Sequence, residues 1–209
     1  MSWAEPPRRL VLASNNAGKL AELKALLAPL GVELVTQGSL GIPEAPEPYR
    51  TFVENALAKA RHAAAASGLP ALADDAGLCV AAFGGGPGVD TAHYCTRFGY
   101  PKSDAHNVRA LLEQMHDVED RRAAMVSTLV ALRTPDDPEP LIASGRVEGL
   151  IARAPAGDGG FGFDPVMWLP QFGCTFAQLP ADVKNEHSHR GRAARAMLAL
   201  MRQHWWPLA

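Results

Sequence analysis

Ser14-Asn15-Asn16-Ala17-Gly18-Lys19 separates a short apolar run, Leu10 to Ala13, from a helical repeat of leucines that begins near Leu20. The order is strand, tight polar turn, helix N-terminus. The first N–H groups of a helix lack intrahelical partners, and the helix dipole adds positive potential there. Lys19 adds a full charge, so the place suits a phosphate group. It is not a Walker A loop, which would need Gly where Ala13 stands and Ser or Thr where Leu20 stands. A plain strand-to-helix turn with a surface lysine explains the segment equally well, so the rest of the chain has to decide.

Outward from this turn, Arg9 to Ser14 reads as a buried strand. Leu20, Leu23, Leu27 and Leu30 follow at helical spacing, and Pro29-Leu30-Gly31 ends that helix. Glu33 to Thr36 reads as a second strand, and Ser39 to Arg50 as a surface loop broken by Pro43, Pro46 and Pro48. Thr51-Phe52-Val53-Glu54 has the capping-box form and opens an alanine-rich helix to about Ser67, with Gly68 as its stop. Pro70 to Ala73 enters a strand expected to end at Asp74-Asp75, and the glycines from Gly84 to Gly88 mark a flexible or tightly turned segment.

Asp104 to His116 has Val108, Leu111, Leu112 and Met115 on one helical face. Ala123 to Arg133 and Leu141 to Arg153 read as two strands of an antiparallel hairpin joined through Thr134 to Pro140. The glycine-rich stretch from Ala156 to Gly162 leads to another short apolar strand. A last helix from about His189 to Trp205 carries Ala194, Met197, Leu198, Met201 and Trp205 as its stripe. The expected fold is α/β: a mixed central sheet flanked by helices, in one domain over residues 1–209 with about 9–205 as ordered core. Its two halves are expected to form lobes with a cleft between them.

A chain of 209 residues with 47% hydrophobic content can bury a good core and fits a soluble globular protein. Lys and Arg number 20 against 22 Asp and Glu, a net charge of −2, which argues against broad binding to a nucleic-acid backbone. No apolar run approaches the roughly 18 residues of a membrane span. Met1 to Arg9 is polar and proline-rich, without the apolar stretch of a secretion signal. Cys79, Cys95 and Cys174 are odd in number and none is paired at metal-ligand spacing, which points to a reduced, cytoplasmic setting with the thiols buried as small hydrophobes.

Asp74-Asp75 is the first candidate for chemistry. Successive strand side chains point to opposite faces, so the two carboxylates should have different tasks: one facing the phosphate turn to hold Mg²⁺ or polarise water, the other capping a turn or orienting its neighbour. Asp-Asp before Ala-Gly also suits a simple turn. Glu44 and Glu47 lie in the loop before the alanine-rich helix, and Glu47 with Asp75 would supply the one or two carboxylates that Mg²⁺ takes beside a polyphosphate. In Gly157 to Asp164, aromatics stand among glycines; Phe161 could stack on a flat base, while Phe163 could instead be core.

Lys184-Asn185-Glu186-His187-Ser188-His189-Arg190-Gly191 is the densest polar cluster. Lys184, His189 and Arg190 offer mainly donors, a rim that favours a keto oxygen and leaves an amino group unpaired. A solvated basic helix start is the plainer reading. His187 and His189, two apart at a helix start, are poor metal-ligand geometry. G-x-S-x-G and the dinucleotide fingerprint are both absent.

Six segments together resemble one family: Ser14 to Lys19; Thr51-Phe52-Val53-Glu54-Asn55-Ala56 with Lys59-Ala60; Ala73-Asp74-Asp75-Ala76-Gly77-Leu78; Gly84 to Gly88; Gly159-Gly160-Phe161-Gly162-Phe163-Asp164-Pro165; and Ser188-His189-Arg190-Gly191. Their order and spacing closely resemble the inosine triphosphate pyrophosphatase family, the bacterial dITP/XTP pyrophosphatases, from about Leu10 to Met201. The resemblance implies a strongly twisted sheet, hydrolysis of deaminated purine nucleoside triphosphates to monophosphate and pyrophosphate, Mg²⁺ as cofactor, and a homodimer. By position, it implies that the turn Ser14, Asn15, Asn16, Ala17, Gly18 and Lys19 holds the triphosphate. Asp75 would be general base and metal ligand, with Glu47 as second ligand. Ala76, Phe161, Gly162, Phe163, Asp164, Lys184, His189 and Arg190 would complete the substrate site.

The chain departs from the family pattern at several places. Ala76 replaces a usual Ser, Glu47-Pro48-Tyr49 replaces Glu-Thr-Gly, and Thr91-Ala92-His93-Tyr94 replaces Ser-Ala-Arg-Tyr. Phe163 stands for a frequent Tyr and His187 for an apolar residue. A related pyrophosphatase with another base preference, and a nucleotide-binding regulator without turnover, are the competing readings. Lys184 with His189-Arg190 speaks against the first, and Lys19 with Asp75 against the second.

Overall fold

Leu10, Val11 and Leu12 are fully buried in β1 (Arg9–Leu12), which stops two residues short of the expected strand because the Ser14 N–H turns back onto the Leu12 carbonyl. The computed structural model describes residues 7–205; residues 1–6 of the polar N-terminal stretch and residues 206–209 lie outside the described residues. Helix α1 (Ala17–Leu27) gives way to a 3-10 turn, Ala28–Leu30, and Gly31 in the left-handed region ends it, as Pro29-Leu30-Gly31 implied. After β2 (Glu33–Thr36), α2 (Phe52–Ser67) starts at Thr51, whose side chain accepts the Glu54 N–H. The Thr51 hydroxyl donates to the Glu54 carboxylate, a tighter variant of the reciprocal cap.

The main departure lies in β3 (Ala71–Val80), which runs straight through Asp74-Asp75 instead of ending there. Leu78 and Val80 are buried, and burying them outweighs the turn tendency of Asp-Asp-Ala-Gly. The glycines that follow are tightly turned: Gly84 N–H bonds to Ala81 O, and Val80 N–H to Gly86 O. The other elements are α3 (Asp104–Gln114), β4 (Arg122–Leu132), β5 (Leu141–Ile151), β6 (Met167–Leu169), β7 (Cys174–Thr175), α4 (Ala181–His187) and α5 (His189–His204). β7, α4 and a 3-10 segment over Gly88–Phe98 are absent from the sequence reading, the first two being too short to show a period.

Seven strands form a mixed sheet in the order β2-β1-β3-β4-β5-β6-β7. β1 is parallel to both β2 and β3, with Val11 opposite Val35 and Ala71, while β5-β6-β7 are antiparallel. No described helix is long and apolar enough to cross a membrane. The chain divides into two compact units. Unit 1 takes the chain up to Asp75, then Ser127–Gly145 and from Arg190 onward; unit 2 takes Ala76–Val126 and Arg146–His189.

In unit 1 the strand alternation sorts side chains between two cores. Leu10, Leu12, Leu72, Leu129 and Ala131 pack with α1 and α5 through Leu23, Leu27, Ala194, Met197 and Met201. Val11, Ala13, Ala71, Ala73, Val130 and Leu132 pack with the alanines of α2. Continuing that period along β3 puts Asp74 on the α1/α5 face and Asp75 on the α2 face. In unit 2, Leu78 and Val80 pack with Leu111 and Met115 of α3 and with Phe163, Met167 and Phe176.

Candidate active site

Helix α1 begins at Ala17, not near Leu20, so Gly18 and Lys19 already belong to its first turn. Asn16 is the cap: its side-chain oxygen accepts the Lys19 N–H at 2.9 Å, and Ser14 Oγ accepts the Asn16 N–H at 3.2 Å. Two donors of the turn are therefore engaged within it, while the N–H groups of Ala17 and Gly18 stand in the first turn, where helix geometry provides no partner. Asn15 is exposed and lies over Gly38, whose added Cβ would come 3.0 Å from Asn15 Oδ1. The Lys19 ammonium sits 3.1 Å from Asp74 Oδ2.

Asp74 is enclosed by donors. Ser127 Oγ donates to Oδ1 at 2.5 Å, and Arg190 donates to Oδ2 through Nε at 3.2 Å and Nη2 at 3.1 Å. Arg190, buried on α5, also pairs with Glu22 of α1. Burial works against the Asp74 charge, but Arg190, Lys19 and Ser127 overrule it and hold the carboxyl well below the usual range. Asp74 is thus a fixed anion that orients Lys19.

Asp75 faces the other way and has a different electrostatic setting. Lys59 Nζ of α2 donates to its Oδ1 at 2.8 Å, and Asn55 Nδ2 approaches Oδ2 at 3.5 Å. The same ammonium lies 3.2 Å from Glu47. Burial raises the Asp75 pKa, Lys59 and Lys19 oppose the rise without cancelling it, and the Glu47 charge adds to it. Burial disfavours the Lys59 cation, yet Asp75 and Glu47 outweigh it and raise its pKa. Asn55 also brackets Tyr49, accepting its N–H at 3.0 Å and donating to its carbonyl at 3.2 Å, so the Glu47-Pro48-Tyr49 loop is fastened to α2 despite its unusual sequence. Glu44 is exposed.

Among the described residues no three His, Cys, Asp or Glu side chains gather into a metal cage. A Mg²⁺ beside a polyphosphate needs fewer, one or two carboxylates with phosphate oxygens and water filling the shell. Asp75 and Glu47, already drawn to one ammonium, form such a donor set.

In unit 2, Asp164 organises the glycine-rich loop. Its Oδ2 accepts the Phe161 N–H at 2.8 Å and the Lys184 ammonium at 2.7 Å, both carboxylate and ammonium being buried. Lys184 Nζ stands 5.0 Å from the centre of the half-buried Phe161 ring. Gly160, at φ +73°, leaves no room for a side chain: a Cβ would fall 2.1 Å from Asp164 Oδ2. Phe163 is buried in the core of unit 2. His189 is buried with its ring edge-on to Phe176 at 6.2 Å. Ala76 is half-buried in β3.

Two groupings thus emerge from the residues singled out by sequence: Ser14 to Lys19 with Asp74, Asp75 and Glu47 in unit 1, and Phe161, Gly162, Asp164 and Lys184 in unit 2. Arg190, grouped by sequence with Lys184 and His189, is tied instead to Asp74 and Glu22. Nothing local in the sequence points Glu22 to Arg190 or Ser127 to Asp74. Lys59 and Asn55 had a signal: they lie four apart on α2 beside buried alanines, and a lysine on a buried face requires a carboxylate.

The polar centre of this α/β protein is thus a helix start whose Lys19 is clamped to buried Asp74, with Asp75 held by Lys59 on the other face of β3. The pattern of the Ham1 family matches residues 10–200. The chain is 78% identical over 197 residues to a dITP/XTP pyrophosphatase of Albidiferax ferrireducens, covering 94% of this chain and 99% of that protein. Among solved structures, a HAM1 protein from Coxiella burnetii superposes with a TM-score of 0.86 at 41% identity, covering 93% of this chain and 98% of that one. A nucleoside-triphosphatase, dITP/XTP pyrophosphatase, from Mycobacterium abscessus gives 0.71 at 42% identity, with 91% and 98% covered. The chain belongs to the Ham1 family.

Proposed function

We propose that the chain hydrolyses deaminated purine nucleoside triphosphates, ITP, dITP and XTP, to the nucleoside monophosphate and pyrophosphate. The observation that carries this reading is the division of labour between adjacent aspartates. Asp74 is locked to Lys19 and Arg190, while Asp75, with its pKa raised by burial, is a carboxylate able to take a proton. The names of the similar dITP/XTP pyrophosphatases support it.

In this reading the helix start and Lys19 bind the triphosphate, neutralising the charge that gathers on the departing pyrophosphate. Asp75 takes a proton from the water that attacks the α-phosphorus. Lys59 holds the Asp75 carboxylate in place at 2.8 Å. Asp75 and Glu47 would hold Mg²⁺, which when bound supplies charge neutralisation at the phosphates. The base goes to Phe161, Gly162 and Lys184, where an ammonium donor held by Asp164 accommodates a keto oxygen and leaves the amino group of adenine opposite another donor. In the same reading His189, Phe163 and Ala76 complete the base end, by their positions in the family pattern. Arg190 acts on the phosphate end through Asp74. The reading extends to a homodimer in the cytoplasm, for which the free thiols Cys79, Cys95 and Cys174 suit a reducing compartment.

A panel of nucleoside triphosphates, assayed for pyrophosphate against phosphate with and without Mg²⁺, tests the proposal. Pyrophosphate release with kcat/KM at least about 100-fold higher for ITP and XTP than for ATP and GTP is expected, with loss of turnover on chelation. Comparable values for all four nucleotides would refute the base selectivity, and orthophosphate as first product would refute the bond assignment.

A further inference from the structure

Asp104, the first residue of α3, reaches out of its own helix: its Oδ2 accepts the N–H of Gly162 at 2.8 Å. Gly162 follows Phe161 in the loop proposed to bind the base. That loop is secured at its start by the Gly159 N–H bond to Ala177 O at 3.0 Å, and internally by Asp164 holding the Phe161 N–H. Gly160 stands between these ties, and Gly162 lies inside the Phe161–Asp164 turn, which the Asp164 N–H also closes on the Phe161 carbonyl at 3.2 Å. Both glycines are in the left-handed region at φ +73° and +62°, where a glycine backbone has wide freedom unless it is held. Asp104 supplies a tie from a separate element at the second of these glycines.

Asp104 itself is exposed and does not belong to the core of unit 2. The α3 N-terminus has its own cap, since Ser103 Oγ accepts the His106 N–H at 3.1 Å. Asp104 therefore has a carboxylate available for a task beyond starting a helix.

We propose that Asp104 is a positioning residue for the base-binding loop: by holding the Gly162 N–H it fixes the backbone that carries Phe161 opposite Lys184. It touches no substrate. The inference rests on the proposed function for its kinetic effect, and it concerns the base end alone. The Lys19 and Asp75 machinery, held by residues of unit 1, is unaffected.

Asp104→Ala and Asp104→Asn in the full chain test it, with amide hydrogen exchange of Gly162 followed in the nucleotide-free protein and kcat and KM measured with ITP. In Asp104→Ala the Gly162 amide is expected to exchange at least about fivefold faster, the KM to rise about fivefold or more, and kcat to stay within about twofold. Asp104→Asn keeps an acceptor oxygen and removes the charge, so it should return both quantities to within about twofold of the parent. A carboxylate acting only on the α3 dipole would make Asn behave like Ala, and that result overturns the proposal. So does an unchanged Gly162 exchange rate, or a fall in kcat at constant KM. If the parent protein turns over none of the nucleotides, the functional reading fails on its own, and the exchange arm still decides whether Asp104 holds the loop.

Discussion

Asp75→Asn is expected to lower kcat by about 10²–10⁴-fold while ITP still binds, the range typical of a lost general base. An amide cannot take the proton of the attacking water. The substitution is nearly isosteric, and its oxygen can still accept from Lys59, which lies 2.8 Å from Oδ1 and retains Glu47 at 3.2 Å. The phosphate turn is untouched, because Lys19 is clamped by Asp74 on the opposite face of β3. Steady-state kinetics on ITP with Mg²⁺, paired with calorimetric binding of the same nucleotide, separate the two effects. A variant with near-parent kcat removes Asp75 from the base role.

Asp74→Ala is expected to destabilise the protein by about 3–5 kcal/mol, the cost of stranding a buried charge. Arg190 is 2% exposed and would keep Glu22 but lose two donor contacts to Asp74, and Ser127 Oγ would lose its acceptor. Against a total stability of about 5–15 kcal/mol for a typical domain, that loss is severe. Urea unfolding measures it. Arg190→Met should cost a similar amount, and the double variant less than the sum, because each single change already breaks the shared pair. A loss below about 1 kcal/mol would mean the cluster is not the buried anchor inferred from its geometry. The pH dependence has a fixed sign: a carboxyl held below its ordinary range contributes fully at neutral pH, and the contribution fades as pH falls below that range.

These two neighbours show how far the sequence could be read. Alternation along a strand implied that adjacent aspartates point to opposite faces, and the structure gives them separate partners, Lys19 and Arg190 for Asp74 and Lys59 for Asp75. It also shows the strand continuing to Val80, which local turn chemistry hid, since Asp-Asp-Ala-Gly has turn character until Leu78 and Val80 are buried. The helices were legible wherever a cap or stop accompanied a period, as at Thr51 and Gly68 or Pro29 to Gly31. β7 and α4 were not, being too short for a period to register. The parallel start of the sheet followed from the helices that intervene between its strands, whereas β5 and β6 are antiparallel across the long connection of residues 152–166, which carries no such signal.

Partners distant in sequence were the harder part. Arg190 lies 116 residues from Asp74, and only the folded chain reveals that it serves that carboxylate. Lys59 and Asn55 were in view as part of a motif, yet nothing local says that one ammonium is shared by Asp75 and Glu47. Asp104 had no signal at all, because a helix-starting aspartate is common and its hold on Gly162 depends on tertiary placement.

The most direct test of the account follows one oxygen atom. ITP is hydrolysed to completion in heavy-oxygen water with Mg²⁺, and the products are separated and weighed by mass spectrometry. Attack by an Asp75-activated water at the α-phosphorus puts the label into the monophosphate and leaves the pyrophosphate unlabelled. Label in the pyrophosphate, or in free orthophosphate, would contradict it.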